Sequence, residues 1–219
     1  IAVGFTMLDM TLQPVLDDYA AGRLTEEEFL AKTDWEKEIG PDFGSYRPVF
    51  DLLIAGKLRA LALGVPRKTV SRIAGAGLAG LDDEDRKFLP EPVTITKHKK
   101  YLERLKSLFG AAGGLDMGGL PSWDNYLASV SAVNEGAGCK VTEFLIANPG
   151  WSALIVAGNT HLIYNAAIPA SVKSRAKTMR QASFYTVDAA KCPAVFPKEN
   201  KDMANYVWYI DHGNAPAKK

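Results

Sequence analysis

The chain predicts an α/β domain with a mainly parallel sheet flanked by helices, and three observations carry that prediction. Short apolar runs alternate along it with segments of helical periodicity, the pattern of layered α/β folds. The run Leu58 to Leu63 is apolar without alternation and is bounded by Gly56 and Gly64-Val-Pro66, as in a strand covered on both faces. The clearest strand, Trp151 to Ala157, leads directly into Gly158-Asn-Thr-His161, at the carboxyl end where such folds place ligands. At 219 residues the chain suits one domain over 1–219, with a Gly-rich connector at 110–120 and a polar tail at 211–219.

In order, Ile1 to Leu8 reads as a strand, and Leu12, Val15, Leu16 and Tyr19 recur at helical spacing after it. Thr25 and Glu28 have the spacing of a capping box and open a second helix. Tyr46, Val49, Phe50 and Leu53 mark a third helix, which Gly56 ends. Lys68 to Ile73 predicts a helix leading into Ala74-Gly-Ala-Gly77. Leu81-Asp-Asp-Glu-Asp-Arg86 predicts a solvated helix start, because it lacks the alternating ligands and central Gly of a calcium loop. Pro90-Glu-Pro92 forces extended chain. A helix with a basic face runs from Lys97 to Phe109. The longest helical pattern, Trp123 to Asn148, holds Gly136 and Gly138, where a kink or a close packing contact is expected. A short helix near Ala170 to Arg175, a strand at Ser183 to Val187 and an aromatic strand at Asn205 to Ile210 complete the order.

Charge excludes some functions. Twenty-six Lys and Arg against 25 Asp and Glu leave a net +1, so no global field favours nucleic acid. Two cysteines, Cys139 and Cys192, permit no disulfide framework, and each is expected as a buried free thiol. The longest apolar run, Trp151 to Gly158, is shorter than the roughly 20 residues of a membrane-crossing helix. The Gly-rich connector lacks the Lys-Ser/Thr of a phosphate-binding loop. The four tryptophans are expected in core or interface packing, since no basic residues interleave them.

His161 is the histidine with ligand potential, because a neutral imidazole at a strand end can bind a metal or haem iron. Tyr164 lies three residues on and can ligate the same iron as tyrosinate. Lys97, Lys99 and Lys100 flank His98 and form either a solvated face or a contact for an anionic membrane surface. His98 and His212 are not expected in a site.

A wider set of segments resembles the ChaN-like haem-binding uptake family of the Tiki superfamily. They are Gln13-Pro-Val-Leu-Asp17-Asp-Tyr19, Gly22-Arg-Leu-Thr25-Glu, Phe29-Leu30, Trp35-Glu-Lys37, Tyr46-Arg-Pro48 and Ala60-Leu-Ala-Leu-Gly-Val-Pro66. Gly77-Leu-Ala-Gly-Leu81, Leu89-Pro90, Asn134-Glu135, Val156-Ala-Gly-Asn-Thr-His161, Ile168-Pro169 and Tyr206-Val-Trp-Tyr209 follow in family order. The co-linearity carries the resemblance. Against the family pattern, a first strand bearing Gly-Glu-x-His is expected before Ile1, leaving a sheet edge for a partner to cover. Thr6 stands for an acidic residue, Val130, Asn134 and Ala137 for Gln, Asp and Met, Asn165 and Ala167 for glycines, and Ser171 for an arginine.

The resemblance implies a ChaN-like fold whose polar site has decayed. One neutral histidine and one carboxylate, Glu135, fall short of both acid/base catalysis and a metal site, so no enzyme activity and no metal are expected, a hydrolase-like site around His161 and Glu135 being rebuilt only if a strand before Ile1 supplies Glu and His. The leading expectation is a non-catalytic accessory subunit of a larger organellar, membrane-associated complex, with protein subunits as partners and no cofactor. A plastid is favoured because versions from photosynthetic organisms look most similar. The alternative is a haem or tetrapyrrole carrier with contacts from His161, Tyr164, Asn159 and Glu135.

Overall fold

The computed structural model describes all residues except 41, 112–121, 190, 192, 194 and 212–219. The first strand, β1 (Ala2–Asp9), enters the core at once. Helices α1 (Gln13–Ala20), α2 (Glu26–Thr33), α3 (Trp35–Glu38) and α4 (Arg47–Ala55) follow, and then β2 (Arg59–Gly64). Next come α5 (Arg67–Ala76), α6 (Asp83–Arg86), α7 (Lys99–Ala111) and α8 (Trp123–Ala147). The chain closes with β3 (Ala153–Val156), α9 (Ile168–Arg175), β4 (Phe184–Asp188) and β5 (Tyr206–Ile210).

β1 lies between β2 and β3 and is parallel to both, with Val3 opposite Ala60 and Leu154. Side chains alternate across a strand, so β1 and β2 divide their residues between two cores. Val3, Phe5, Ala60 and Ala62 face α1 to α4, where Phe50 stacks on Phe5 with ring centroids 4.8 Å apart and Tyr19 on Phe29 at 4.2 Å. Ala2, Leu61 and Leu63 face the other way, onto Ala137 and Val141 of α8 and Ile168 and Val172 of α9. Burial on both faces explains why β2 reads as unbroken hydrophobic sequence.

The capping box is present: Thr25 Oγ1 accepts from the Glu28 amide, and the Thr25 amide donates to the Glu28 carboxylate at 2.8 Å. The glycine pair in α8 marks a contact and not a kink, because the helix continues through it. A Cβ at Gly136 would come within 2.6 Å of Val65 Cγ2, and one at Gly138 would overlap Ser171.

Three expectations need correction. The acidic stretch at 82–86 is not simply solvated: Asp85 is buried, accepts from Thr69 Oγ1 at 2.7 Å and pairs with Arg72 at 2.5 Å. Its pattern looks exposed because the fixed partners lie more than ten residues away. Of the tryptophans, Trp35 is buried, but Trp151 and Trp208 are exposed. Cys139 is half-buried and donates to Glu143, so it is no core thiol. Cys192, His212, connector residues 112–120 and tail residues 212–219 lie outside the described residues. The two late strands pair in parallel with each other in a second sheet, apart from the first.

Candidate functional site

His161 closes a tight turn, Asn159–His161, that begins three residues after β3 ends. Its ring meets Asn134 on α8, with Nδ1 2.8 Å from Asn134 Oδ1. The proton positions follow from the next links. Tyr101 on α7 is buried, and its hydroxyl lies 2.9 Å from the Thr160 carbonyl, which can only accept, so the phenol donates there. The phenol oxygen then accepts from Asn134 Nδ2 at 3.1 Å, which turns Asn134 Oδ1 toward the histidine. Nδ1 of His161 must therefore carry the proton, and Nε2 keeps its lone pair.

Burial pushes the His161 pKa below its ordinary 6.5, and it pushes the Tyr101 phenol up to about 12. Both groups are thus neutral at pH 7. Nε2 has no hydrogen-bond partner among the described residues. A lowered histidine pKa means that the unfolded chain binds the proton first as pH falls. The contribution of His161 to stability is constant above pH 6.5 and declines below it, toward the lower folded pKa. Urea titrations between pH 7.5 and 5 are expected to show a shallower acid decline in His161→Gln, and equal slopes would contradict this linkage.

Tyr164 sits in a second environment. Its φ is +59° and that of Asn165 is +53°, both left-handed, which is why a glycine is the family expectation at 165. The Asn165 side chain accepts from Ser183 Oγ at 2.6 Å. The Tyr164 ring lies nearly parallel to that of His98, with centroids 5.8 Å apart, and its amide donates to the Met203 carbonyl at 2.6 Å. Lys100 Nζ lies 5.9 Å from the ring centre and pairs with Asp202 at 3.3 Å. These residues and Lys99 line an open cleft of about 300 Å³. His98 stands at the start of α7 and caps it, accepting the Tyr101 amide on Nδ1.

Asn159 and Glu135 are not contacts of the same kind. The Asn159 amide is spent on Thr186, donating to its carbonyl at 2.9 Å and accepting from its amide at 3.3 Å, so it clamps β4 in place. Glu135 is adjacent to Asn134 on the helix and so points to a different side. There it pairs with Arg175 at 2.7 Å, and Arg175 also donates to Ser171 Oγ at 2.6 Å. An arginine one helical turn after position 171 thus stands beside Ser171, but Glu135 neutralises it. Thr6, in place of an acid, donates to the Val156 carbonyl at 3.2 Å. Among the described residues no three His, Cys, Asp or Glu side chains come together as a metal site.

The family model described as haem-binding uptake, Tiki superfamily, ChaN matches residues 1–172. The chain belongs to this family. ChaN of Campylobacter jejuni, in a structure described as cofacial heme binding, superposes with a TM-score of 0.63 at 14% identity, over 94% of this chain and 72% of that one. An erythromycin esterase mutant, EreC H289N in its open conformation, covers 85% of this chain and 62% of its own at 11% identity, with a TM-score of 0.45. No curated protein matches the chain. The ChaN match takes in β1 to β3 and the turn that carries His161, and it ends within α9.

Haem requires an axial donor with a free lone pair and favours cations near its propionates. His161 Nε2 meets the first need, and Lys99 with Lys100 at the cleft beside Tyr164 suits the second. The imidazole is thus a donor of the kind haem iron takes, while the two lysines line a cleft whose walls are His98, Lys99, Lys100, Tyr164 and Asp202 and do not include His161. Tyr101 and Asn134, which orient the histidine, are absent from the sequence-derived site. Asn134, which the family pattern marks as a replacement, is the residue that links Tyr101 to His161.

Proposed function

We propose that this chain binds haem or a related tetrapyrrole, with His161 Nε2 as the iron ligand, and that it performs no hydrolysis. The observation that carries this reading is the Tyr101–Asn134–His161 chain, which fixes the tautomer with Nε2 unprotonated, while burial keeps the ring neutral. The ChaN family description supports it. When bound, the group supplies the ligand exchange and electron transfer of its iron. The chain's own residues fix the imidazole's orientation and tautomer. The pairing of Glu135 with Arg175 supports the reading of no hydrolysis, because it takes up the carboxylate that neighbours Asn134 on α8.

The test is haem titration followed by absorbance on the native chain and on His161→Ala, Tyr164→Phe and Tyr101→Phe. Saturable binding is expected in the native chain, with loss in His161→Ala and weakening of about tenfold or more in Tyr101→Phe, as for other groups that orient a ligating histidine. Loss in Tyr164→Phe with retention in His161→Ala would move the iron to the tyrosine. No saturable change in the native chain would overturn the reading. That outcome would favour a second one, a non-catalytic subunit of a larger organellar complex, for which the edge strand β3 with Leu154 and the neighbouring Trp151 exposed is the supporting observation.

A further inference from the structure

The first sheet has two edges, and the fold closes one of them. On the outer side of β2, Gln13 stands in for a further strand: its side-chain amide donates to the Ala60 carbonyl at 3.0 Å and accepts from the Ala62 amide at 2.7 Å. β3 has no such cover. The Ala2 amide donates to the Ser152 carbonyl at 2.9 Å and the Thr6 hydroxyl to the Val156 carbonyl at 3.2 Å, so Ser152, Leu154 and Val156 turn their peptide groups toward β1. The peptide groups of alternate residues in a strand point to opposite sides. Ala153 and Ile155 therefore present their N–H and C=O groups outward, where they have no hydrogen-bond partner among the described residues. No residue of β3 is buried, Leu154 is 52% exposed, and Trp151, two residues before the strand, is 45% exposed.

A bare strand edge is a template for another strand, and proteins that keep one unpaired protect it with lysine, proline or a bulge. β3 has none of these, and no Asp, Glu, Lys or Arg occurs anywhere from Phe144 to Val172. Its pattern is complementary to itself. In antiparallel pairing about a two-fold axis beside Leu154, Ala153 faces Ile155 of the partner subunit and Ile155 faces Ala153 of the partner subunit. Each outward N–H then meets a C=O, as in the hydrogen-bonded pairs of an antiparallel ladder. Leu154 falls in the close, non-hydrogen-bonded pair between them, directly against Leu154 of the partner subunit, so each exposed side chain is covered by its own counterpart. Uncharged edges on chains of net charge +1 meet without electrostatic cost. A contact in which the same patch serves both subunits is the form that soluble oligomers most often take.

We propose that β3 is a dimerisation edge, at which two copies of the chain pair antiparallel through Ala153 to Ile155 and join their sheets into one. The two His161 turns leave opposite ends of the paired strands, so the contact neither uses nor blocks the ligand site. The experiment is sedimentation of the full chain at rising concentration, without haem, which keeps its result independent of the haem reading. A concentration-dependent dimer is expected. Leu154→Lys and Leu154→Glu each set like charges against one another and should weaken dimerisation by about tenfold or more, with circular dichroism unchanged because the side chain is exposed. Mixing the two variants should restore the dimer, which a damaged fold could not do. A native chain that stays monomeric would overturn the proposal and leave the edge to a strand of a different protein. So would undiminished dimerisation of Leu154→Lys, which would put the contact on another face, or a loss that mixing fails to restore.

Discussion

Phe50→Ala is expected to lower the folding free energy by about 3–5 kcal/mol, the usual cost of emptying a phenylalanine site in a core. Phe50 is fully buried and is in ring contact with Phe5, Tyr19, Phe29, Trp35 and Phe43, so it joins β1 to α1, α2 and α3. Rings closed in from several sides cannot collapse into the space a benzyl group leaves. For a domain of this size, each kcal/mol moves the melting temperature by roughly 2–4 °C. Thermal denaturation should show a fall of about 6–20 °C, with Phe50→Leu affected less. A change of under about 2 °C in Phe50→Ala would mean that the aromatic layer repacks freely, contrary to the rigid stack described above.

The second large effect comes from adding a single carbon. In an ordinary helix interior Gly→Ala gains about 1 kcal/mol. At Gly138 the sign reverses, because the new Cβ would overlap Ser171, whose hydroxyl is held by Arg175, itself held by Glu135. The strain has to move α9 as a body. Gly138→Ala should cost about 1–3 kcal/mol, as overpacking does, measurable as a lower urea midpoint with the slope unchanged. Gly138→Ala/Ser171→Gly removes the overlapping atoms and should recover most of the loss, a non-additive result expected only of side chains in contact. Equal losses in the single and double variants would show that the helices are not pressed together at this point.

Features with local physical causes were legible in the sequence. The strand at Leu58 to Leu63, the Thr25-Glu28 cap and the placement of His161 after the strongest strand all follow from periodicity or from side chain to backbone spacing within a few residues. The family and its fold were legible from the order of short segments. The site was legible only in part, because its chemistry rests on pairs far apart in the chain. Tyr101 reaches Thr160, and Asn134 reaches both Tyr101 and His161, across intervals that no spacing rule covers. Glu135 looked like the retained acid because its partner Arg175 is forty residues away and on another helix. Trp208 looked like packing because β-strand alternation specifies two faces without saying which one is covered.

The Asn159 clamp on β4 has a mechanical consequence. Its amide completes the free side of β4 as a short length of neighbouring strand would, and it does so from the turn that ends in His161. Thr186, the residue it grips, is in register with Trp208. The ligand-end turn of the first sheet and the second sheet are therefore stitched into one cooperative unit. Amides around Thr186 and those around His161 are therefore expected to exchange with solvent together, and independent exchange would contradict this coupling.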